Sequence, residues 1–225
     1  MRPTLRNEFE DYPELFQQLL LKQDSSLEFI SYLVPEHQFP LEVDECDAYL
    51  VTGSRCGVYE QLEWIEPTCE LIRRITTAGR RIIGICFGHQ LIASALGGSV
   101  ARSEKGWGVG LHSWKINHRP SWMEPSPEEA FSLLAIHQDQ VVSLPDNAIP
   151  IAGSDFCPIA AYQIGNCAVG FQGHPEFSKR LLQVLMELRQ SCIGSECVNK
   201  ALASLNDDPH SDTIARWMLN FMRGE

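Results

Sequence analysis

A chain of 225 residues that is 44% hydrophobic and 21% charged has the composition of a globular protein with a buried core. Collagen-like, fully disordered and bilayer-spanning chains are excluded. The 18 basic and 29 acidic residues leave a formal charge of −11, and no basic run exceeds a pair, so neither nucleic acid nor a membrane is an expected partner.

The N-terminal stretch is not an apolar leader, and Tyr12, Leu15, Phe16, Leu19 and Leu20 recur at helical spacing. Residues 27–34 form an apolar run closed by Pro35 and predict a strand, and residues 48–51 predict a second that ends at Thr52, Gly53 and Ser54. Residues 60–77 read as a helix with Pro67 as its weak point, stopped by Gly79. Residues 81–85 are a short buried strand, and residues 87–96 a helix closed by Gly97 and Gly98. This alternation predicts a parallel sheet covered on both faces.

The middle changes character. Residues 100–117 and 148–164 read as short strands and turns, the first interrupted by Gly106, Gly108 and Gly110. Residues 167–171 are another buried strand, and residues 179–188 and 213–222 are helical. Loop-like segments lie around residues 120–127 and 206–211, and no linker divides the chain, so residues 1–225 are expected to be one domain.

Cys46, Cys56, Cys69, Cys86, Cys157, Cys167, Cys192 and Cys197 are scattered without a C-x-x-C pair. They read as thiols in a reducing cytoplasm. One of them differs from the rest. Gly84-Ile85-Cys86-Phe87-Gly88-His89-Gln90 lies between a predicted buried strand and a predicted helix, the setting of a nucleophile elbow. There the reactive side chain sits on a tight strand-to-helix turn, glycines on either side relieve backbone crowding, and the helix N-terminus favours a thiolate. The plainer alternative is a small buried apolar cysteine.

A cysteine nucleophile needs a base, and the base needs an orienting group. Phe171-Gln172-Gly173-His174-Pro175-Glu176-Phe177 supplies both at the end of another predicted strand. Residues two apart in extended chain point the same way, and Pro175 keeps the stretch from coiling. His174 is thus the candidate base and Glu176 the group behind it.

These two segments resemble the class I (triad-type) glutamine amidotransferase family, most closely its stand-alone single-domain members. Ala93, Leu96, Gly97 and Gly98 behind the elbow, and Gly53, Ser54 and the stretch from Lys105 to Gly110, fall in similar places. The resemblance implies a flavodoxin-like α/β fold, a mainly parallel sheet flanked by helices, with Cys86 at the carboxyl ends of the strands and a small antiparallel element near residues 100–117. It implies that Cys86 attacks the γ-carboxamide of glutamine or of a γ-glutamyl compound, with His174 moving the proton and Glu176 fixing its tautomer. It places oxyanion donors at the backbone of Phe87 and of Gly53 or Ser54. Substrate contacts fall to Gln90 and to the loop His137, Gln138 and Asp139. No cofactor is implied.

Two enzymatic organisations stay open: a glutaminase that hands ammonia to a separate synthetase, and a free-standing hydrolase or transferase acting on γ-glutamyl amides and peptides. A non-catalytic regulatory domain is the competing class. The histidines show no metal-like spacing, so no metal is assigned. His89 is expected to pack inside the fold, and Trp107 either lines the pocket or packs in a glycine-rich turn. The family's sheet ordinarily begins with a central strand ahead of the first helix, and no apolar run precedes that helix here. Either the true start lies upstream of Met1, which is the expectation, or the first strand is missing and the sheet has a gap. The glycine loop also reads Thr-Gly-Ser where Gly-Gly-Pro is commoner, which shifts the oxyanion donor by up to a residue.

Overall fold

The computed structural model describes residues 8–125, 127 and 129–225. Met1 and Ser126, on which parts of the expectations for the N-terminus and for the 120–127 loop fall, lie outside the described residues.

Helix α1 (Tyr12–Leu21) starts where the Asp11 carboxylate accepts the Tyr12 backbone amide at 2.9 Å, with Pro13 in its first turn. It buries Phe16, Leu19 and Leu20. Residues 27–33 form no strand, and a 3₁₀ turn follows at Val34–Glu36. The predicted strand does not form because none of the backbone groups of residues 27–32 pairs with another backbone group among the described residues.

The chain continues through β1 (Ala48–Val51), α2 (Ile65–Thr77), β2 (Arg81–Ile85), α3 (Phe87–Ala95), β3 (Ser99–Arg102), β4 (Gly108–Ile116), β5 (Ala130–His137), β6 (Asp139–Ser143), β7 (Ala148–Gly153), β8 (Ala161–Ile164) and β9 (Ala168–Phe171). Helices α4 (Lys179–Leu188), α5 (Gln190–Ile193), α6 (Ser195–Ser204) and α7 (Ser211–Arg223) follow. Pro67 weakens nothing, because it falls in the first turn of α2, where the missing amide has no partner to lose.

Among the described residues, seven strands form one mixed sheet in the order β1-β2-β9-β8-β7-β4-β5. Only β1, β2 and β9 run parallel; the middle of the chain extends the sheet with antiparallel pairs. The antiparallel element at residues 100–117 divides in two. β3 pairs with β6 in a separate ribbon, while β4 joins the main sheet. β5, β6 and α6 were not foreseen.

Alternation along β2 and β9 sorts the core into two layers. Ile83, Ile85, Val169 and Phe171 pack against Phe16 and Leu20 of α1 and Trp217 and Leu219 of α7. Ile82 and Ala168 face Ile72 and Ile75 of α2 and Leu91 and Ile92 of α3. Each such fully buried branched side chain is worth about 1.5–3 kcal/mol relative to exposure. A third cluster joins Leu134 and Ile136 of β5 to α4 and to Val198 and Ala201 of α6. The parallel strands therefore present their carboxyl ends at one edge, where α3 has its N-terminus, the place where open α/β sheets hold ligands.

Candidate active site

The elbow is real in the backbone. Cys86 has φ 54° and ψ −101°, one of two positive-φ residues other than glycine among the described residues, a conformation that costs energy for a side-chain-bearing residue. It is held by the Cys86 amide donating to the Phe171 carbonyl at 2.8 Å, one residue beyond the Ile85–Phe171 register of β2 and β9. Close packing of two glycines makes room. A Cβ on Gly84 would meet the Gly88 carbonyl oxygen at 2.3 Å, and one on Gly88 would meet the Val51 carbonyl oxygen at 2.1 Å. The first turn of α3 is thus pressed against the end of β1 as well as against β2.

His174 comes from the segment just past β9. Its amide donates to the Leu134 carbonyl of β5 at 2.8 Å, while Gly173 lets the chain pass close to Trp114 and Leu133. The imidazole Nδ1 lies 2.8 Å from Glu176 Oε1, and the side chains are 3% and 0% exposed. A Cβ on Gly53 would come within 2.9 Å of His174 Cε1 and 3.8 Å of Cys86 Cβ, so the ring and the Cys86 side chain flank the same point. Burial alone pushes the imidazole down in pKa, but the Glu176 carboxylate and Cys86 outweigh it and hold His174 above its ordinary value. Phe177 stacks on the imidazole, ring centres 3.9 Å apart at 9°, and Tyr12 stacks on Phe177 at 6.2 Å. Sequence reasoning missed this second support; the aromatic after Glu176 was its one visible trace.

A cleft of about 180 Å³ opens over Cys86. Ser54, Phe87, Gln90, His137, Gln138 and Asp139, all named from the sequence, line it. Gly53 does not; a Cβ there would meet His174 Cε1 at 2.9 Å, so Gly53 packs against the imidazole and leaves Ser54 at the cleft. The Phe87 amide belongs to the first turn of α3, where helix geometry supplies no internal acceptor. Gln90 spends its amide nitrogen inside the protein, donating to the Asp139 carbonyl at 2.8 Å and to Gln172 Oε1 at 3.1 Å. His137 sits at the end of β5 and Asp139 opens β6, so the expected loop is a one-residue corner at Gln138. Burial lowers the His137 pKa to about 3 and keeps its ring neutral, with Nδ1 3.1 Å from the Asp139 carbonyl.

Trp107 does line the cleft. His89 is fully buried against Tyr162 with ring centres 4.7 Å apart, as expected of a packed residue. Tyr59, Arg55, Arg102 and Arg189 also line the cleft and were not foreseen. Arg55 and Tyr59 share the loop after β1, Arg102 and Arg189 come from far along the chain, and no motif links them. Tyr59 donates to Asp139 Oδ1 at 2.9 Å and ties the loop after β1 to the corner after β5. No His, Cys, Asp and Glu grouping suited to a metal ion occurs among the described residues, and no helix among them is long and apolar enough to cross a membrane.

A family model described as glutamine amidotransferase class-I matches residues 10–187. The chain is 29% identical to γ-glutamyl peptidase 3 of Arabidopsis thaliana over 203 residues, 86% of this chain and 82% of that protein. It is 25% identical to the glutamine amidotransferase-like protein chry6 of Gibberella zeae over 212 residues, 89% of this chain and 85% of that one. The fold superposes on a glutamine amidotransferase from Methylobacillus flagellatus with a TM-score of 0.75 at 22% identity, covering 92% of this chain and 90% of the other. With the family model spanning most of its length, this chain belongs to the class I glutamine amidotransferase family.

Proposed function

We propose that Cys86, His174 and Glu176 form a catalytic triad that opens γ-glutamyl amide bonds through a thioester. The observation that carries this reading is the Cys86 elbow set against a buried, Glu176-anchored imidazole. Cys86 Sγ bonds to the γ-carbonyl carbon as His174 takes its proton. The carbonyl oxygen gains charge where the Phe87 amide and the Ser54 region can donate. The C–N bond then breaks, and His174 gives the proton to the departing amine. Water, deprotonated by His174, attacks the thioester; the C–S bond breaks and the proton returns to sulfur. Glu176 holds the imidazole in one tautomer throughout.

The chain acts as a free-standing γ-glutamyl hydrolase in this reading, in a reducing cytoplasm that keeps its cysteines free. Support comes from the relative named γ-glutamyl peptidase 3 and from the basic side chains of Arg55 and Arg102 in the cleft lining, which suit a leaving group bearing a carboxylate. The acidic residues in the same lining are engaged: Glu60 accepts the Gly57 amide at 2.7 Å and Asp139 the Tyr59 hydroxyl. Purified protein incubated with γ-glutamyl peptides and with glutamine tests this. Release of glutamate from the peptides without any added component is expected. Glutamine hydrolysis that starts only when a cell fraction is added would instead mark an ammonia donor to a separate synthetase.

A further inference from the structure

Arg55 and Arg102 of the cleft lining are held in one frame. Arg55 follows Ser54 in the loop after β1, and Arg102 is the last residue of β3, directly opposite Asp139 in the β3–β6 ladder. Residues opposite one another in an antiparallel pair share a face. Tyr59, in the loop of Arg55, donates its hydroxyl to Asp139 Oδ1 at 2.9 Å. That bond clasps the Arg55 loop to the ladder of Arg102 and brings two cations from separate segments to one opening. Burial, and then Asp139, raise the Tyr59 hydroxyl above its ordinary value while Arg102 opposes them, as a cation beside the bond does.

The cleft is dry at its inner end and wet at its mouth. Cys86 is 7% exposed and the Glu176 side chain 0%, whereas Arg55, Tyr59 and Arg102 are exposed. At about 180 Å³ the cleft is smaller than the roughly 300–1,000 Å³ of pockets that enclose a whole ligand. With a γ-glutamyl group seated on Cys86, whatever is joined to its γ-carbonyl reaches out to the arginines.

This layout bears on the second half of the reaction. The departing amine takes its proton from His174 while its carboxylate is held at Arg55 and Arg102. By microscopic reversibility the same place receives an incoming amine of the same chemistry. Its carboxylate meets the arginines in charge-assisted hydrogen bonds, and its nitrogen lies where the departed nitrogen was. An attacker held in this way reacts as if at a very high local concentration, which offsets the abundance of water.

Resting on the thioester reading above, we propose that the chain is also a γ-glutamyl transferase whose acceptors are α-amino acids and short peptides, recognised through their carboxylate by Arg55 and Arg102. The acceptor's uncharged amine attacks the thioester carbon. The C–N bond forms, the C–S bond breaks, and the proton released by the nitrogen passes through His174 to Cys86 Sγ. One γ-glutamyl amide is exchanged for another, with no water, oxidant or reductant consumed.

The test is how one thioester partitions between water and amine. γ-Glutamyl-p-nitroanilide, whose leaving group has no carboxylate, loads the purified protein. Glycylglycine, or glycinamide as an amine without a carboxylate, is added at equal concentrations of free amine, and mass spectrometry counts glutamate and γ-glutamyl product. Transfer to glycylglycine is expected to saturate with acceptor and to exceed transfer to glycinamide about tenfold, the worth of one charge-assisted hydrogen bond. Arg55→Gln and Arg102→Gln should each lower the ratio of transfer product to glutamate about three- to tenfold. A variant that merely slows thioester formation leaves that ratio unmoved. Glutamate without transfer product at any acceptor concentration overturns the proposal and leaves the triad standing. So does equal use of the two acceptors, or a ratio unmoved in both arginine variants. No turnover and no adduct on Cys86 would remove the triad reading, and this one with it.

Discussion

The Phe177 ring lies flat on the His174 imidazole, ring centres 3.9 Å apart and 9° from parallel. The imidazole is therefore fixed in two directions, in its plane by Glu176 and across its plane by Phe177. Stacked pairs of this kind are worth about 0.5–1.5 kcal/mol beyond area. Phe177→Leu should lower kcat about three- to tenfold with little change in KM, and lower stability by about 1–2 kcal/mol. Steady-state kinetics beside a denaturation curve check both numbers; an unchanged kcat would reduce Phe177 to core filling.

The raised pKa of His174 carries a definite pH signature. Burial opposes the charged ring, and Glu176 and Cys86 more than compensate, so the folded value of about 10 lies above the unfolded one. A raised histidine contributes stability that is fully present below about pH 6.5, the unfolded value, and that is lost as pH rises through the folded value. Glu176→Gln removes the principal favourable partner. The stability gap between wild type and Glu176→Gln should therefore be widest near neutral and acid pH and shrink toward pH 10. Denaturation midpoints of both proteins across pH check this, and a gap that widens with pH would contradict it.

Gly88 and Gly79 make a contrasting pair. A Cβ on Gly88 would strike the Val51 carbonyl oxygen at 2.1 Å, whereas Gly79, at φ +71°, has open space around it. Gly88→Ala should cost about 3 kcal/mol or leave the protein insoluble, with loss of activity. Gly79→Ala should cost about 1 kcal/mol for its backbone alone and leave turnover intact. Thermal melts and specific activity of the two variants separate local crowding from backbone preference.

Tyr59 bridges the cleft mouth through its hydroxyl to Asp139. Tyr59→Phe removes one half-exposed hydrogen bond, worth about 0.5–1.5 kcal/mol. The expected result is a KM for γ-glutamyl peptides raised about two- to tenfold with kcat nearly unchanged. A fall in kcat at constant KM would place Tyr59 in the chemical step instead.

The elbow at Cys86 and the His174–Glu176 pair were legible because each is carried by a short local motif at a strand end. The elbow glycines, Cys86, His174 and Glu176 follow from backbone crowding and from alternation along extended chain. What two distant segments build together was not legible. The bonds that the Gln90 nitrogen makes to Asp139 and Gln172 are set by tertiary position. Tyr59 and the cleft arginines meet only in the fold. Residues 27–32 have a strand's composition but no backbone partner among the described residues, and strand propensity without pairing makes no strand. The parallel β1, β2 and β9 were anticipated from alternating strand and helix. The antiparallel half was only partly so: residues 130–137 went unread, and the glycines of β4 looked like turns although that strand runs through them.

The account rests on a γ-glutamyl thioester at Cys86. Acid quenching during turnover of a slow γ-glutamyl substrate, followed by intact-mass and peptide mass spectrometry, tests it most directly. The predicted result is a mass increase of one γ-glutamyl group, confined to the peptide containing Cys86 and absent from Cys86→Ala, which should also lose turnover. An adduct on another cysteine, such as Cys56 in the same cleft, or a Cys86→Ala variant that keeps wild-type hydrolysis, would contradict it.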